Sequence, residues 1–471
     1  VGDFNHFLKT GFEIRFYEQR RHSNQNPWDG NPFFDVYTDE WGGNFYVDSQ
    51  EAKEATSQPV TPWRASAYVQ DQIEYKNIII TPGLRFDYFN PDARFRTETQ
   101  TFVSIDSINT NNFQDADPKF QLSPRINITY PLTDRSNISI NYGLFFQMPQ
   151  LQYLYDGFYR DQLRGNAILG QPNMEAQRSN QYEVSYNNQL TDDFSMQVKA
   201  YYKDIYNQVG MQYIPAVPQP YFQYTVADYG NAKGLEFILQ KRPIDHIALN
   251  FNYSLAWAEG TSTSPTSNYL PPIDPYTDTQ GFPQDTYPLG YDQRHRVNLI
   301  VDFIWGNDEG PSIGGIQLLE NTNINLSGVI ESGLPYTKLD FGGNPVSENN
   351  AERHPSWWQL DMRISKAFWM KDFFGDGAGD SQLELFIDFN NLLNRTAARF
   401  YYPRTDDPDD DGISLYRSIG FFSPVPYYEE ANFGIAETFT IDQYDNYGNR
   451  LYSLEGDIDK NEIVTQTKKY Q

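Results

Sequence analysis

Several features of other protein classes are missing from this sequence, and each absence excludes a class of structure, chemistry or partner. None of the 471 residues is cysteine, which excludes a disulfide framework and thiolate chemistry. No run approaches the ~18 consecutive apolar residues that a transmembrane helix needs. Basic residues are scarce, because 36 Lys and Arg stand against 62 Asp and Glu, giving a net charge of −26. That balance argues against nucleic acid as a partner, since phosphate neutralisation needs Lys and Arg.

Motifs that carry catalysis are also absent. The five histidines show neither an HExxH pattern nor metal-ligand spacing, so no zinc site is predicted. The sequence has no glycine-rich phosphate loop and no nucleophile elbow. With 62 acidic residues, carboxylate pairs arise by chance, and solvation of loops and of a wet interior explains them better than glycosidase chemistry. We therefore predict that the protein is not an enzyme.

Aromatic residues and alternating patterns are what the sequence has in abundance. Aromatic residues make up 16% of the chain, although its hydrophobic content is only 39%, and a disordered chain would be poor in them. In the stretch QLELFIDFNNLLNR, residues 382–395, Leu383, Leu385 and Ile387 point to one side. Glu384 points to the other side. Such alternation predicts a strand with one apolar face and one polar face.

The same two-faced pattern recurs along the whole chain. Most stretches carry about ten alternating residues, which is the length that a tilted strand needs to cross a bilayer. We predict thirteen strands, near residues 7–19, 63–75, 78–89, 119–131, 137–147, 180–190, 194–207, 221–241, 246–257, 294–305, 322–331, 357–369 and 382–394.

Short and long connections alternate between these strands. Only Lys76 and Asn77 separate the second strand from the third, whereas long connections such as 90–118 and 258–293 fall between the short ones. Outer-membrane barrels have short turns at one end and long loops at the other. The pattern predicts an all-β, antiparallel up-and-down transmembrane β-barrel whose apolar faces meet lipid. A soluble propeller or sandwich would not place a long loop at every second connection.

Seven stretches in order resemble the C-terminal part of the barrel of TonB-dependent outer-membrane transporters, of the kind common in Bacteroidetes-like bacteria. A single stretch such as FNNLLN is weak evidence for the resemblance, but seven stretches in the expected order are specific evidence. The stretches are AYVQDQIEYKNIIITPGLRFDYF (67–89), LSPRINITYPLTDRSNISINYGLFFQMP (122–149), NQYEVSYNNQLTDDFSMQVKAYYKDIYNQVG (180–210), AKGLEFILQKR (232–242), YDQRHRVN (291–298), LDMRISKAF (360–368) and FIDFNNLLNR (386–395).

The resemblance implies a barrel of about 22 strands around a plug. Residues 1–471 would then be a partial barrel, in which about thirteen of those strands are visible and 395–471 is a long extracellular loop. The first eight or so strands, the plug, the TonB-contacting segment and the final strand would lie outside it. No signal peptide is visible and residue 1 is Val, so we expect a processed or truncated N-terminus.

One motif suggests a metal ion. In DPDDDG, residues 407–412, Asp407, Asp409 and Asp411 alternate before a glycine, as in the first half of an EF-hand calcium loop. The carboxylate that should follow at position twelve is missing, because Ser418 stands there. The two interpretations are a structural calcium ion that stiffens the loop and a solvated acidic turn. No other cofactor is predicted.

Aromatic residues are dense in the connections, for example in QLQYLYDGFYRDQ (150–162) and MQYIPAVPQPYFQYTVADYG (211–230). Their rings either stack on a ligand, or pack loops together and form the interfacial belt of a barrel. The candidate substrate-binding residues are Tyr153, Tyr155, Tyr159, Tyr213, Tyr221, Tyr224 and Trp357.

The predicted function is active import of a scarce, large nutrient across the bacterial outer membrane, energised through TonB. The expected partners are outer-membrane lipid, the TonB complex through the missing N-terminal part, and a surface lipoprotein. The acidic composition disfavours very anionic ligands, because like charges repel. Alternatives are a passive porin, a barrel-based surface adhesin and a soluble β-rich glycan binder.

Overall fold

A computed structural model describes most of the chain. The described residues are 4–19, 22–24, 35–38, 44–46, 60–96, 113–155, 168–214, 221–267, 285–314, 316–340, 344–375, 377, 379–396, 398, 401–409, 438–444, 450–459 and 462–469. They separate into two compact units: Val1–Pro335 with Pro355–Ala397, and Tyr336–His354 with Ala398–Gln471.

The first unit is built on one antiparallel sheet of thirteen long strands in sequence order, which confirms the predicted up-and-down topology. Its first and last strands form the two edges of the described sheet. The strands are β1 (Phe4–Phe16), β2 (Trp63–Tyr75), β3 (Ile78–Asn90), β4 (Lys119–Thr133), β5 (Ser136–Gln147), β6 (Gln177–Gln189), β7 (Phe194–Ile214), β8 (Tyr221–Ile244), β9 (Ile247–Gly260), β10 (His295–Trp305), β11 (Thr322–Glu331), β12 (Trp357–Trp369) and β13 (Gln382–Phe389).

Tight turns join the strands at one end of the sheet. Asp245 and His246, between β8 and β9, have φ values of 56° and 67°. A two-residue hairpin turn with positive φ at both positions matches the right-handed twist of its flanking strands. Lys76, between β2 and β3, also has a positive φ, of 51°. The predicted short connections after β2 and β8 are therefore two-residue hairpin turns, whereas the connection between β12 and β13 contains a short helix.

The register gives the sheet one apolar face and one polar face. Ile80 pairs with Ile128, Ile128 with Ile140, and Ile140 with Val184, so four aliphatic side chains form one row. Ile140 and Val184 are each 49% exposed. Within the part of the chain described here, no second sheet packs on these rows, as expected for a surface in contact with hydrocarbon.

Several strand boundaries differ from the prediction by a few residues, and those of β1, β7 and β13 change what the ends of the strands do. β1 begins at Phe4 rather than residue 7, and β13 ends at Phe389, where Asn391 turns with a φ of 53°. β7 and β8 extend past the rest of the sheet, so 208–214 is a strand and not part of a loop. The register shifts between Ile205 and Val209, which marks the start of this extension.

The described residues also form shorter elements. None of the helices in the described ranges is long and apolar enough to cross a membrane. The helices are α1 (Leu151–Tyr155) and α2 (Lys371–Phe374). The short strands are His22–Asn24, Asp35–Thr38, Asn44–Tyr46, Arg94–Arg96, Phe113–Asp115, Ile168–Leu169, Tyr287–Pro288, Ser312–Ile313, Ile316–Gln317, Pro335–Tyr336 and Glu352–Arg353.

The second unit contains a separate antiparallel sheet of three strands, Thr438–Tyr444, Arg450–Asp459 and Glu462–Lys469. The segment 395–471 therefore includes regular structure that its description as a loop left out. Its assignment as an extracellular loop stays a prediction.

Candidate functional site

A small apolar core lies where the long connections meet, at the end of the sheet opposite the tight turns. We call it the loop-end core. Leu154 in α1 and Met211 in the β7 extension are completely buried in it. Its members are Val60, Phe89, Ala93, Leu154, Tyr155, Met174, Val209, Met211, Phe222 and Tyr224. The core joins the end of β3, the connection between β5 and β6, and the extended β7–β8 hairpin.

Tyr155 fixes α1 to the end of β3. Its ring is 3% exposed, and its hydroxyl donates a hydrogen bond of 2.7 Å to the carbonyl oxygen of Pro91. Burial, with a smaller contribution from Asp92, raises the pKa of Tyr155 far above its ordinary value. The phenol therefore stays neutral and keeps its proton for this hydrogen bond.

The β5–β6 connection also contacts the hairpin extension and β4. Ile168 and Leu169 pair in parallel with Phe222 and Gln223 of β8. The Nζ atom of Lys119, a buried residue at the start of β4, lies 2.9 Å from Oε1 of Glu175. The described parts of this connection are thus held on both sides, on β3–β4 and on β7–β8.

Four of the predicted substrate-binding residues meet at the loop-end core. Tyr155 and Tyr224 are buried in it, and Tyr153 and Tyr213 pack against it with partly exposed rings. The rings of Tyr153 and Tyr224 have centroids 4.8 Å apart. These contacts show packing between loops, and ligand contact for these residues stays a prediction.

The other three candidates are not placed in this cluster. Tyr221 begins β8, but its side chain is not among the described parts of the structure. Tyr159 lies outside the described residues. Trp357 begins β12 and pairs with Glu331 of β11. Ligand contact for these three residues also stays a prediction.

A buried carboxylate lies at the base of the hairpin extension, and sequence reasoning did not single it out. Asp228 is 4% exposed, and its Oδ1 accepts a hydrogen bond of 3.0 Å from the hydroxyl of Thr261. Its Oδ2 is buried without a hydrogen-bond partner among the described residues. Oδ2 lies against Gly210, where an added Cβ would overlap it. Burial raises the pKa of Asp228, and hydrogen bonds from Thr261 and Ser262 oppose this only in part.

This carboxylate predicts a pH dependence of the hairpin extension. Because the pKa of Asp228 is higher in the folded hairpin than in an opened chain, the folded hairpin binds more protons. Its stability therefore falls as pH rises from the ordinary carboxyl pKa of about 3.9 to the raised pKa of Asp228. We expect amide protection of residues 208–214 and 221–228, corrected for intrinsic exchange, to decrease over this range.

The matched variant is Asp228→Asn, which keeps the shape of the side chain and the acceptor for Thr261 but cannot ionise. In this variant the amide protection of the hairpin extension, corrected for intrinsic exchange, should be independent of pH over the same range. An unchanged pH dependence in this variant would assign the effect to another group.

The polar face of the sheet carries a network of hydrogen bonds and ion pairs. The side-chain amide of Asn127 donates to Asn141, and the amide of Asn141 donates to Oε1 of Glu183 at 3.2 Å. The Nζ atom of Lys199 lies 2.5 Å from Glu236 and 3.8 Å from Glu183. Polar groups are thus paired across β4 to β8, which makes this face suited to contact with water or polar solutes and not with lipid.

The proposed calcium loop is only partly described. The backbone N–H of Asp409 donates to Oδ1 of Asp407 at 2.8 Å, and the N–H of Asp407 donates to the hydroxyl of Thr405 at 3.3 Å. Asp411 lies outside the described residues. In the described ranges, no three acidic or histidine side chains are grouped to hold a metal ion. Calcium binding therefore stays a prediction.

An up-and-down sheet with an apolar outer face, a polar inner face and elaborate loops at one end defines the wall of a membrane transport barrel. A family model described as "TonB dependent receptor-like, beta-barrel" matches residues 1–392. The chain belongs to this family, which confirms the resemblance found in the sequence. TonB-dependent receptors are transport proteins of the bacterial outer membrane, so the predicted localisation is confirmed as well.

Solved structures share the fold at low sequence identity. The outer membrane transporter YddB from Escherichia coli is 12% identical with a TM-score of 0.54, covering 85% of this chain and 49% of its own. A mutant ferric enterobactin receptor, PfeA, from Pseudomonas aeruginosa in complex with enterobactin is 14% identical (TM-score 0.51; 83% and 47% covered). The FrpB iron transporter (F3-3 variant) from Neisseria meningitidis is 13% identical with a TM-score of 0.50, covering 83% of this chain and 48% of its own.

The chain thus spans about half the length of the solved structures it matches. At these identities the likeness shows the fold and nothing finer. No curated protein matches the chain.

Proposed function

We propose that the chain forms part of the barrel wall of a transporter that imports a scarce, large nutrient across the outer membrane, energised through TonB. Membership in the TonB-dependent receptor barrel family carries this proposal. The two-faced sheet supports it, because its apolar rows suit contact with outer-membrane lipid while its polar network lines a passage for solutes.

In this proposal the loop end of the sheet captures the nutrient. Tyr153 and Tyr213 keep partly exposed rings at the margin of the loop-end core, where they are placed to stack on a ligand. Tyr155 and Tyr224 hold the loops that present those rings. Tyr159, Tyr221 and Trp357 remain candidates for ligand contact, and a surface lipoprotein remains a candidate partner.

The test is uptake by cells that carry the protein in their outer membrane. Labelled ferric siderophore, cobalamin, oligosaccharide and peptide are offered to cells with and without functional TonB. We expect one of these classes to accumulate only when TonB is active. Accumulation that is the same in both strains would contradict energised import.

A passive porin is the second candidate, and one observation favours it. The described parts of the β5–β6 connection pack on both β3–β4 and β7–β8, as a loop that narrows a pore would. Conductance of the purified protein in a planar bilayer without TonB would support a porin. A closed bilayer combined with ligand capture at the surface would support an adhesin.

A further inference from the structure

One row of residues across the polar face differs from its neighbours, because it contains three cations and no carboxylate. Each member pairs with the next across seven adjacent strands, β1 to β7. The row is Lys9, Gln70, Gly83, Arg125, Gly143, Gln181 and Lys203. With strands about 4.8 Å apart, Arg125 lies three strands, or about 14 Å, from each lysine. In a chain of net charge −26, such a concentration of positive charge is unexpected.

Arg125 is held in place by stacking and not by an ion pair. Its guanidinium carbon lies 4.3 Å from the centre of the Phe145 ring. That ring in turn lies against Gly143, where an added Cβ would overlap it. A cation–π contact of this kind does not use the N–H donors of the guanidinium as a carboxylate would.

The guanidinium of Arg125 has no carboxylate partner within the described part of the chain. The neighbouring Arg85 is different, because its Nη2 lies 2.7 Å from Oδ1 of Asp87. Glu183, the acid on the other side of the row, is engaged by Asn141 and Lys199. Arg125 is thus a positioned cation whose donors are available to a ligand.

Open space lies beside this cation. Glycine on both neighbouring strands, Gly83 and Gly143, leaves no side chain next to Arg125 in its row. A cavity of about 530 Å³ is lined by Arg125 and Gly83, by the amides of Gln181, Asn127 and Asn141, and by the ion-paired side chains of Arg85 and Glu183. A Cβ at Gly83 would approach other atoms no closer than 3.7 Å, so a side chain fits there without overlap.

We propose that this row is a binding site for an oxyanion, a carboxylate or phosphate group of a solute on the polar face, with Arg125 as its central ligand. A planar guanidinium offers paired N–H donors that match the oxygens of such groups. Charges beyond about 8–10 Å are largely screened at physiological salt, and this weakens the two lysines of the row as well as the distant carboxylates, so Arg125 itself carries the charge of the site. The site rests on the proposed function only in that the ligand is a solute passing this face.

The test measures binding to the purified chain in detergent, with inorganic phosphate and acetate as probes. In Arg125→Gln we expect the affinity for the probe to fall at least about tenfold. In Arg125→Lys the affinity should be intermediate, because lysine keeps the charge but lacks the paired N–H donors of the guanidinium. Gly83→Val should weaken binding without removing a charge, since its side chain enters the space beside Arg125. Arg135→Gln, in the exposed turn after β4, is the matched control and should bind as the parent does.

Binding that is equal in the parent and in Arg125→Gln would overturn the proposal, as would no binding of either probe. Near-ultraviolet circular dichroism of each variant shows whether the sheet is intact. Because binding is measured without transport, its loss leaves the proposed import untouched. Conversely, absence of TonB-dependent uptake with intact binding would contradict the proposed function and not the site.

Discussion

Replacing Leu299 by arginine is expected to lower the free energy of unfolding in a lipid bilayer by about 2–4 kcal/mol, the cost of a basic side chain near the bilayer midplane. Leu299 lies in the middle of β10 and pairs with Phe251 and Gly328, on the face that carries the aliphatic rows. The guanidinium would have to leave water for hydrocarbon or distort the bilayer around it. Urea unfolding of the protein in lipid vesicles measures the change.

The next residue provides a matched control. Ile300 is 40% exposed and pairs with Asn250 and Ser327, so it projects from the polar face at almost the same depth. Ile300→Arg should cost no more than about 0.5 kcal/mol, because an exposed substitution away from special contacts usually has a small effect. Equal losses for Leu299→Arg and Ile300→Arg would mean that both faces of β10 have the same surroundings, which no membrane barrel allows.

The strands were predictable from the sequence because their signal is local. In β10, as in most strands, apolar side chains for the lipid face alternate with more polar ones for the opposite face. This period of two identifies a strand without knowledge of the strands that pair with it. The order of the strands followed as well, since short connections force neighbouring strands to pair antiparallel.

The β7 half of the hairpin extension was not predictable in the same way, whereas the β8 half, from Tyr221, lies within the predicted strand 221–241. The residues between these strands include Pro215, Pro218 and Pro220, which indicate a loop. In the structure both strands continue up to this segment, because Val209, Met211, Phe222 and Tyr224 find apolar partners in α1 and at the end of β3. Those partners are distant in sequence, so no local pattern indicates that β7 continues past residue 207.

The candidate sites depend even more on distant pairings. That Arg125 lies between Gly83 and Gly143 follows from the register of three strands, and a shift of one residue would place other side chains beside it. Asp228 is one of many acidic residues in the sequence, and only the fold shows that it is buried against Gly210. Dense tyrosines did point to the loop end, but sequence alone could not separate Tyr155, which is buried, from Tyr153, which is not.

Met211→Ala should release the hairpin extension while leaving the sheet intact. Met211 is completely buried, and removing such a side chain costs about 2–5 kcal/mol through lost transfer energy and the cavity that remains. The loop-end core connects the extension to α1 and to the end of β3, so the loss should appear as local opening. We expect amide exchange of residues 209–214 and 221–226 to accelerate at least about 30-fold, which corresponds to about 2 kcal/mol.

The neighbouring Gln212 is exposed and pairs with Gln223, so Gln212→Ala should change exchange by less than about 0.5 kcal/mol. Exchange in β10, far along the sheet, should be the same in both variants, because the aliphatic rows and ladder hydrogen bonds there do not involve the loop-end core. Acceleration throughout the sheet after Met211→Ala would mean that the extension and the wall unfold together. In that case the loops could not rearrange around a nutrient without disturbing the barrel wall that holds them.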